Sequence, residues 1–229
     1  MIPKKLHYVW VGNEKPINVL HCIDSFHKLM SDYEIIEWNE SNIDCSLYND
    51  SLRHLYENSY KNGMFAFCSD IARLYILKLH GGIYVDADVE FIQHLPDKFL
   101  EDCFISRINP VNTVCSGCIW GCVKDDSLVS NMIDLYAQKT REFFDTHGKK
   151  WIFNTILKDH FRNMGDTLDN TKVCDICNYK VYPTEYFCPQ NYSTGKIEIT
   201  SNTISIHHFN FSWKANRIKQ RCRHATDES

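Results

Sequence analysis

The chain has 229 residues, 44% of them hydrophobic, and a formal net charge of −4. That length can bury one sizeable core. Slight acidity without a long basic block excludes a general nucleic-acid binder, whose affinity rests on neutralising phosphates.

In chain order, residues 2–11 read as a strand that ends at the turn signal Gly12-Asn13. Pro16 then opens a helix to about Met30 with Val19, Leu20, Ile23, Phe26 and Leu29 on its apolar stripe. Tyr33 to Trp38 is a second strand, so the opening is β-α-β and predicts a parallel sheet. Met64 to His80 is helical and stops at Gly81-Gly82, where glycine can take a left-handed conformation. Residues 83–89 follow as one buried strand. Strands near 103–108 and 117–123, helices from Ser127 to Phe144 and from Trp151 to Phe161, and short strands at 196–200 and 203–208 complete the pattern. The start Met1-Ile2-Pro3-Lys4-Lys5 runs into a strand rather than a signal-peptide core, and no stretch has the apolar length of a bilayer span. The expected location is cytoplasmic.

Eleven cysteines, an odd number, read as reduced thiols. Cys115/Cys118 and Cys174/Cys177 form two Cys-x-x-Cys pairs that together could offer four thiolates to zinc. Neither pair is followed by a tight glycine turn, and Cys118 runs into the strand-like Ile119-Trp120. Buried free thiols are therefore the simpler expectation.

The chemistry concentrates in Ser69-Asp70-Ile-Ala-Arg73 and Gly81-Gly82-Ile-Tyr84-Val-Asp86-Ala-Asp88. Carboxylates at i and i+2 of a strand share a face, and repel unless a cation lies between them or one is protonated. Hard oxygen ligands suit Mn²⁺ or Mg²⁺ bridging protein to a diphosphate. Asp70 and Arg73 are one helical turn apart. Arg73 can pair with phosphate or with the carboxylates, and Asp70 can accept sugar hydroxyls. The same Asp86-Ala-Asp88 also matches the nucleophile motif of haloacid-dehalogenase-like phosphatases, with Gly165-Asp166-Thr-Leu-Asp169 near their later acidic motif. A non-catalytic sugar-nucleotide-binding module is a third reading.

These motifs, together with Ile2 to Gly12, Cys22-Ile-Asp-Ser25, Tyr33 to Glu40 and Ile206 to Trp213, give a sequence that resembles the family 32 glycosyltransferases, a group of capsular-polysaccharide and mannosyltransferase-like enzymes. The sugar-transferring domains of large clostridial toxins are similar over the same motifs. The resemblance implies an α/β GT-A (Rossmann-like) fold with a mainly parallel central sheet and a less regular C-terminal part. It spans 1–229 as one domain, with 1–125 as the nucleotide-sugar half and 126–229 as the acceptor side and closing segment. It also implies a divalent metal and a nucleotide-sugar donor whose anomeric configuration is retained. Val9, Trp10 and Val11 would line the base and ribose pocket, with Trp10 stacked on the base. Asp70 and Arg73 would touch the donor sugar and diphosphate, Tyr84 the phosphates, Asp86 the ribose and metal, and Asp88 the metal. The late His-aromatic ligand of related enzymes best matches His208-Phe209, and alternation along Ile204 to His208 turns His208 inward and His207 outward. Ser212 and Trp213 would belong to the loop that closes over the diphosphate. Phe153-Asn154-Thr155 stands where relatives carry a Gly-Pro-type motif, which leaves Asn154 as the candidate beneath the donor sugar.

The expected activity is metal-dependent, retaining transfer of a hexose from a UDP-sugar, such as UDP-galactose or UDP-glucose, to a saccharide or glycolipid acceptor in polysaccharide or glycan synthesis. The basic run Lys214, Arg217, Lys219, Arg221, Arg223 could touch an anionic membrane, placing the protein peripherally at its inner face. A solvated basic helix end is the simpler reading of that run.

Overall fold

The computed structural model describes residues 1–144 and 152–209. β1 (Lys5–Val9), α1 (Ile17–Leu29) and β2 (Glu34–Trp38) form the β-α-β opening, with the strands parallel from Lys5↔Glu34 to Val9↔Trp38. Pro16 precedes α1 in an extended conformation, where a missing N–H costs nothing. The buried face of α1 is Val19, Cys22, Ile23, Ser25 and Phe26. Leu20, expected on that stripe, is 45% exposed, because the face is centred on the Cys22 side.

α2 (Asp50–Lys61) is capped by the Asn49 side chain, which accepts from Leu52 N at 3.0 Å. α3 (Phe65–His80) ends at Gly81 and Gly82, both at positive φ. A Cβ on Gly82 would lie 2.8 Å from the Lys5 carbonyl oxygen, so glycine is needed there for space as well as for conformation.

β3 (Gly82–Tyr84) then joins β1 on the side away from β2. The strand expected over 83–89 is two pieces. A turn closed by Val89 N to Asp86 O at 3.0 Å interrupts it, and β4 (Val89–Phe91) leaves the main sheet. The remaining elements are β5 (Cys103–Ile108), β6 (Thr113–Cys122), α4 (Ser127–Phe144), α5 (Ile152–Asn163), β7 (Cys174–Ile176), β8 (Tyr179–Tyr182), the short α6 (Thr184–Phe187) and β9 (Ser205–His207). β4 pairs antiparallel with β9 in a separate ribbon. The strand expected at 196–200 is reduced to a single bridge, Gln190↔Ile197. Ile197 and Ile199 are exposed, with no sheet for them to face.

The main sheet has the order β2-β1-β3-β6-β5-β8-β7. β6 and β7 run against the other five strands, so the sheet is mixed but mainly parallel. Side-chain alternation divides the core between its two faces. Leu6, Tyr8, Ile83 and Val85 join Val19 and Phe26 of α1 on one face. Val9 and Tyr84 join α2, α3, α4 and α5 on the other, through Leu52, Ile71, Met132 and Phe153.

Candidate active site

β2 lies on one side of β1 and β3 on the other, so the chain reverses its direction of winding at β1. Such a switch point leaves a crevice beyond the carboxyl ends of the strands, where α/β proteins bind ligands. A cleft of about 690 Å³ opens there, within the size range of small-molecule sites. Val9, Trp10, Val11, Asp70, Arg73, Asp86, Asp88 and Asn154 all line it, from elements far apart in sequence.

Arg73 is the hub of its floor. The side chain is 4% exposed, and its Nη2 reaches Asp86 Oδ1 at 2.8 Å and Asp70 Oδ1 at 3.3 Å. Nη1 donates to Ser116 Oγ, which donates onward to Asn154 Oδ1 at 3.0 Å. The guanidinium lies 4.7 Å over the Tyr84 ring, a cation–π geometry, and the Tyr84 hydroxyl donates to Asp86 Oδ1 at 3.1 Å. Of the two partners expected for Arg73, the structure provides the carboxylates. Tyr84 is fully buried behind Asp86 and does not line the cleft. Burial lifts the Asp70 carboxyl to about 7, with Arg73 opposing the rise.

The two aspartates approach through the 86–89 turn rather than through strand alternation. The position is tight: Asp86 N donates to Gly117 O at 2.9 Å, and a Cβ on Gly117 would collide with the Asp86 carboxylate. The third member of the cluster is His207. Its Nε2 lies 3.1 Å from Asp88 Oδ1 and 4.0 Å from Asp86 Oδ2. One donor atom from each of Asp86, Asp88 and His207 lies within 4.8 Å of the other two.

His208, expected as the ligand, turns away to Glu90 Oε2 at 2.7 Å. Alternation misleads here because Ile204, Ser205, Ile206 and His207 are all buried. The ribbon packs on both faces, so neither set of alternate residues is outward. Burial opposes a charge on His207, but Asp88, Cys188 and Asp86 outweigh it and raise its pKa.

The other ring nitrogen of His207 meets sulfur. Nδ1 lies 3.3 Å from Cys118 Sγ, and Cys188 completes a second cluster whose donor atoms are also within 4.8 Å of one another. Cys174 and Cys177 do not join it. The described cysteines are free thiols, with no disulfide among the described residues.

Sequence reasoning also passed over Ser116 and Gly117. Both sit inside the Cys115/Cys118 pair, where sulfur drew attention from the small residues between. Ser212, Trp213 and the basic run from Lys214 to Arg223 lie outside the described residues. No helix of the described residues is long and apolar enough to cross a membrane.

Asp166, one of the two acids in the later motif of the phosphatase reading, is occupied elsewhere. Arg107 grips it with Nη1 at 2.9 Å and Nη2 at 2.6 Å, both side chains being buried. It does not line the cleft.

Comparison with known proteins agrees with this geometry. Residues 16–105, less than half of the chain, match the family described as glycosyltransferase sugar-binding region containing DXD motif. That segment runs from α1 through α3 to the Asp86-Ala-Asp88 turn and on into β5. The chain is similar to the subversion of eukaryotic traffic protein A of Legionella pneumophila, at 27% identity over 64% of this chain. It spans about a quarter of that relative's length, the matched part being 27%. Among solved structures it resembles the PaToxG glycosyltransferase at 17% identity, with a TM-score of 0.53 and 73% of each chain covered. It also resembles the UDP-bound glycosyltransferase domain of the YGT toxin at 12% identity and a TM-score of 0.50, over 70% of this chain and 68% of that one. The fold is therefore that of GT-A glycosyltransferases, and residues 16–105 are similar to a glycosyltransferase sugar-binding region containing a DXD motif.

Proposed function

We propose that this chain transfers a hexose from a nucleotide-sugar, with UDP-sugars favoured, to a saccharide or glycolipid acceptor with retention of anomeric configuration, in the manner of the family 32 enzymes. The observation that carries the reading is the convergence of Asp86, Asp88 and His207 in the same switch-point cleft as Trp10. Two carboxylates and an imidazole nitrogen are a donor set for Mn²⁺ or Mg²⁺, and the Gly117 cradle leaves Asp86 room to present its oxygens. A divalent cation held there would act as a Lewis acid for the charge that grows on the leaving diphosphate.

The remaining roles belong to the chain itself. Val9, Trp10 and Val11 wall the nucleotide, with Trp10 stacked on the base. Arg73 fixes the orientation of Asp86, since both its Nη atoms are engaged by protein acceptors. Asp70 presents a carboxyl to the donor sugar's hydroxyls, and Asn154 borders the same space from α5. The acceptor hydroxyl attacks on the face from which the diphosphate leaves and passes its proton to the departing phosphate oxygen. Asp86 and Asp88 act as ligands rather than covalent nucleophiles, in keeping with their engagement by Arg73 and His207.

The test is nucleotide release from UDP-, GDP- and CMP-sugars with Mn²⁺ or with EDTA, with the anomer of the product read by NMR. Expected are Mn²⁺-dependent release of UDP, loss of turnover in Asp88→Asn, and a retained anomer. Absence of release with every donor sinks the reading, and an inverted product sinks the retaining step.

A further inference from the structure

The molecule holds a second cluster of metal-ligating side chains on the far edge of His207. Cys118 comes from β6, Cys188 from the stretch after α6 and His207 from β9, and all three are buried. Cys115, Cys118 and Cys188 form a small apolar cluster of their own, backed by Ile108 and Phe209. The Phe209 ring lies 4.2 Å from the His207 ring.

We propose that Cys118, Cys188 and the Nδ1 of His207 form a soft-metal site of the zinc class. Zinc–sulfur bonds of about 2.3 Å and zinc–nitrogen bonds of about 2.0 Å put neighbouring tetrahedral donors roughly 3.5 Å apart. The Cys118 Sγ to His207 Nδ1 distance is 3.3 Å, and the three donor atoms already lie within 4.8 Å of one another. Little movement is needed. Two thiolates and a neutral imidazole balance a dication, so the buried site is electrically neutral once the two thiol protons have left to solvent.

The opposite edge of the imidazole supports this assignment. A histidine that ligates through one nitrogen generally donates its other N–H to a carboxylate, which fixes the ring. His207 Nε2 has such a partner in Asp88 Oδ1 at 3.1 Å. Ligand softness divides the neighbouring clusters, with sulfur and nitrogen selecting zinc and carboxylate oxygen selecting Mn²⁺ or Mg²⁺. Zinc on Nδ1 with Nε2–H donated to Asp88 competes with Nε2 ligation at the carboxylate cluster, so a zinc-loaded chain would hold the donor-site cation through Asp86 and Asp88 alone. The assignment does not rest on the transferase reading, because it needs no cation at the aspartates.

The experiment is titration of the metal-stripped, reduced protein with Co²⁺ alone, followed by Zn²⁺. One equivalent of Co²⁺ should give a near-ultraviolet thiolate-to-cobalt charge-transfer band that Zn²⁺ bleaches. The band should be lost in Cys118→Ser and in Cys188→Ser, and kept in Asp86→Asn. X-ray absorption of the zinc-loaded wild-type protein reads the ligands directly, even where a serine variant fails to fold, and should show sulfur with imidazole. An oxygen-and-nitrogen-only shell, no charge-transfer band in the wild type, or a band that survives both cysteine variants overturns the site.

Discussion

At the scale of single residues, the site depends on one buried cation and one missing methyl group. Arg73 satisfies Asp86, Asp70 and Ser116 from a position almost closed to water. A lysine is a point charge and cannot reach three acceptors in the fork geometry of a guanidinium. Arg73→Lys should therefore leave buried acceptors unmet and cost about 2–3 kcal/mol in urea unfolding; an unchanged midpoint would show that the network is slack. Gly117→Ala tests position instead. The added Cβ meets the Asp86 carboxylate, so Mn²⁺ affinity should fall about 10–100-fold, as for other disturbed ligand supports. Its thermal midpoint should change far less, and Mn²⁺ titration against unfolding separates the two effects. Asp70, Arg73, Asp86 and Asp88 were legible in the sequence because their chemistry is carried by residue type and short spacing. His207 was not, since choosing it over His208 required knowing that β9 is buried on both faces. Ser116 and Gly117 act only through approach distances, which no local pattern encodes.

At the scale of elements, β1, β2 and the end of α3 meet at His7. Its Nε2 lies 2.9 Å from the Gly81 carbonyl oxygen, and its Nδ1 accepts from Trp38 Nε1 at 3.1 Å. These partners require one N–H and one bare nitrogen, which is the neutral ring. Protonation would set a second N–H against the indole donor. Burial accordingly lowers the His7 pKa from 6.5 to about 4. The unfolded chain takes up this proton near pH 6.5 and the folded one only near 4, so stability should fall as pH drops through that window. The loss is on the order of 3 kcal/mol, since each unit is worth about 1.4 kcal/mol. His7→Gln lacks the titrating group, so its stability deficit against wild type at pH 7 should shrink by a similar amount at pH 4. A deficit independent of pH in urea melts would refute the assignment. The β-α-β opening was readable because hydrophobic period agrees there with the Gly12-Asn13 turn signal and the Pro16 helix start. The break between β3 and β4 was not, because residues 83–89 are apolar enough for one strand. Tertiary pairing with β9 draws the second piece away, and that partner lies more than a hundred residues downstream.

At the scale of the whole molecule, charge is buried in two places with opposite consequences. Around the cleft the carboxylates of Asp86 and Asp88 converge, an arrangement suited to a ligand rather than to stability. On the other side of β5, Arg107 and Asp166 form a bidentate pair with side chains 0% and 1% exposed, and Asp166 also accepts from Leu168 N at 3.0 Å. The pair ties β5 to the turn after α5 and lies outside the cleft lining. Asp166→Asn leaves the shape and removes the countercharge. Breaking a buried pair from one side costs about 3–5 kcal/mol, equivalent in a chain of this size to a Tm lowered by roughly 6–20 °C. Donor binding should be spared, so a UDP-sugar with Mn²⁺ at about 100 times its Kd should still add about 2.7 kcal/mol by mass action. Differential scanning fluorimetry with and without donor reads both quantities on one sample. If Asp166→Asn melts near wild type but loses the donor-induced shift, Asp166 belongs to the chemistry and the phosphatase arrangement of Asp86, Asp88 and Asp166 regains its ground. A lowered Tm with the shift intact assigns Asp166 to the scaffold and leaves the chemistry with the cleft.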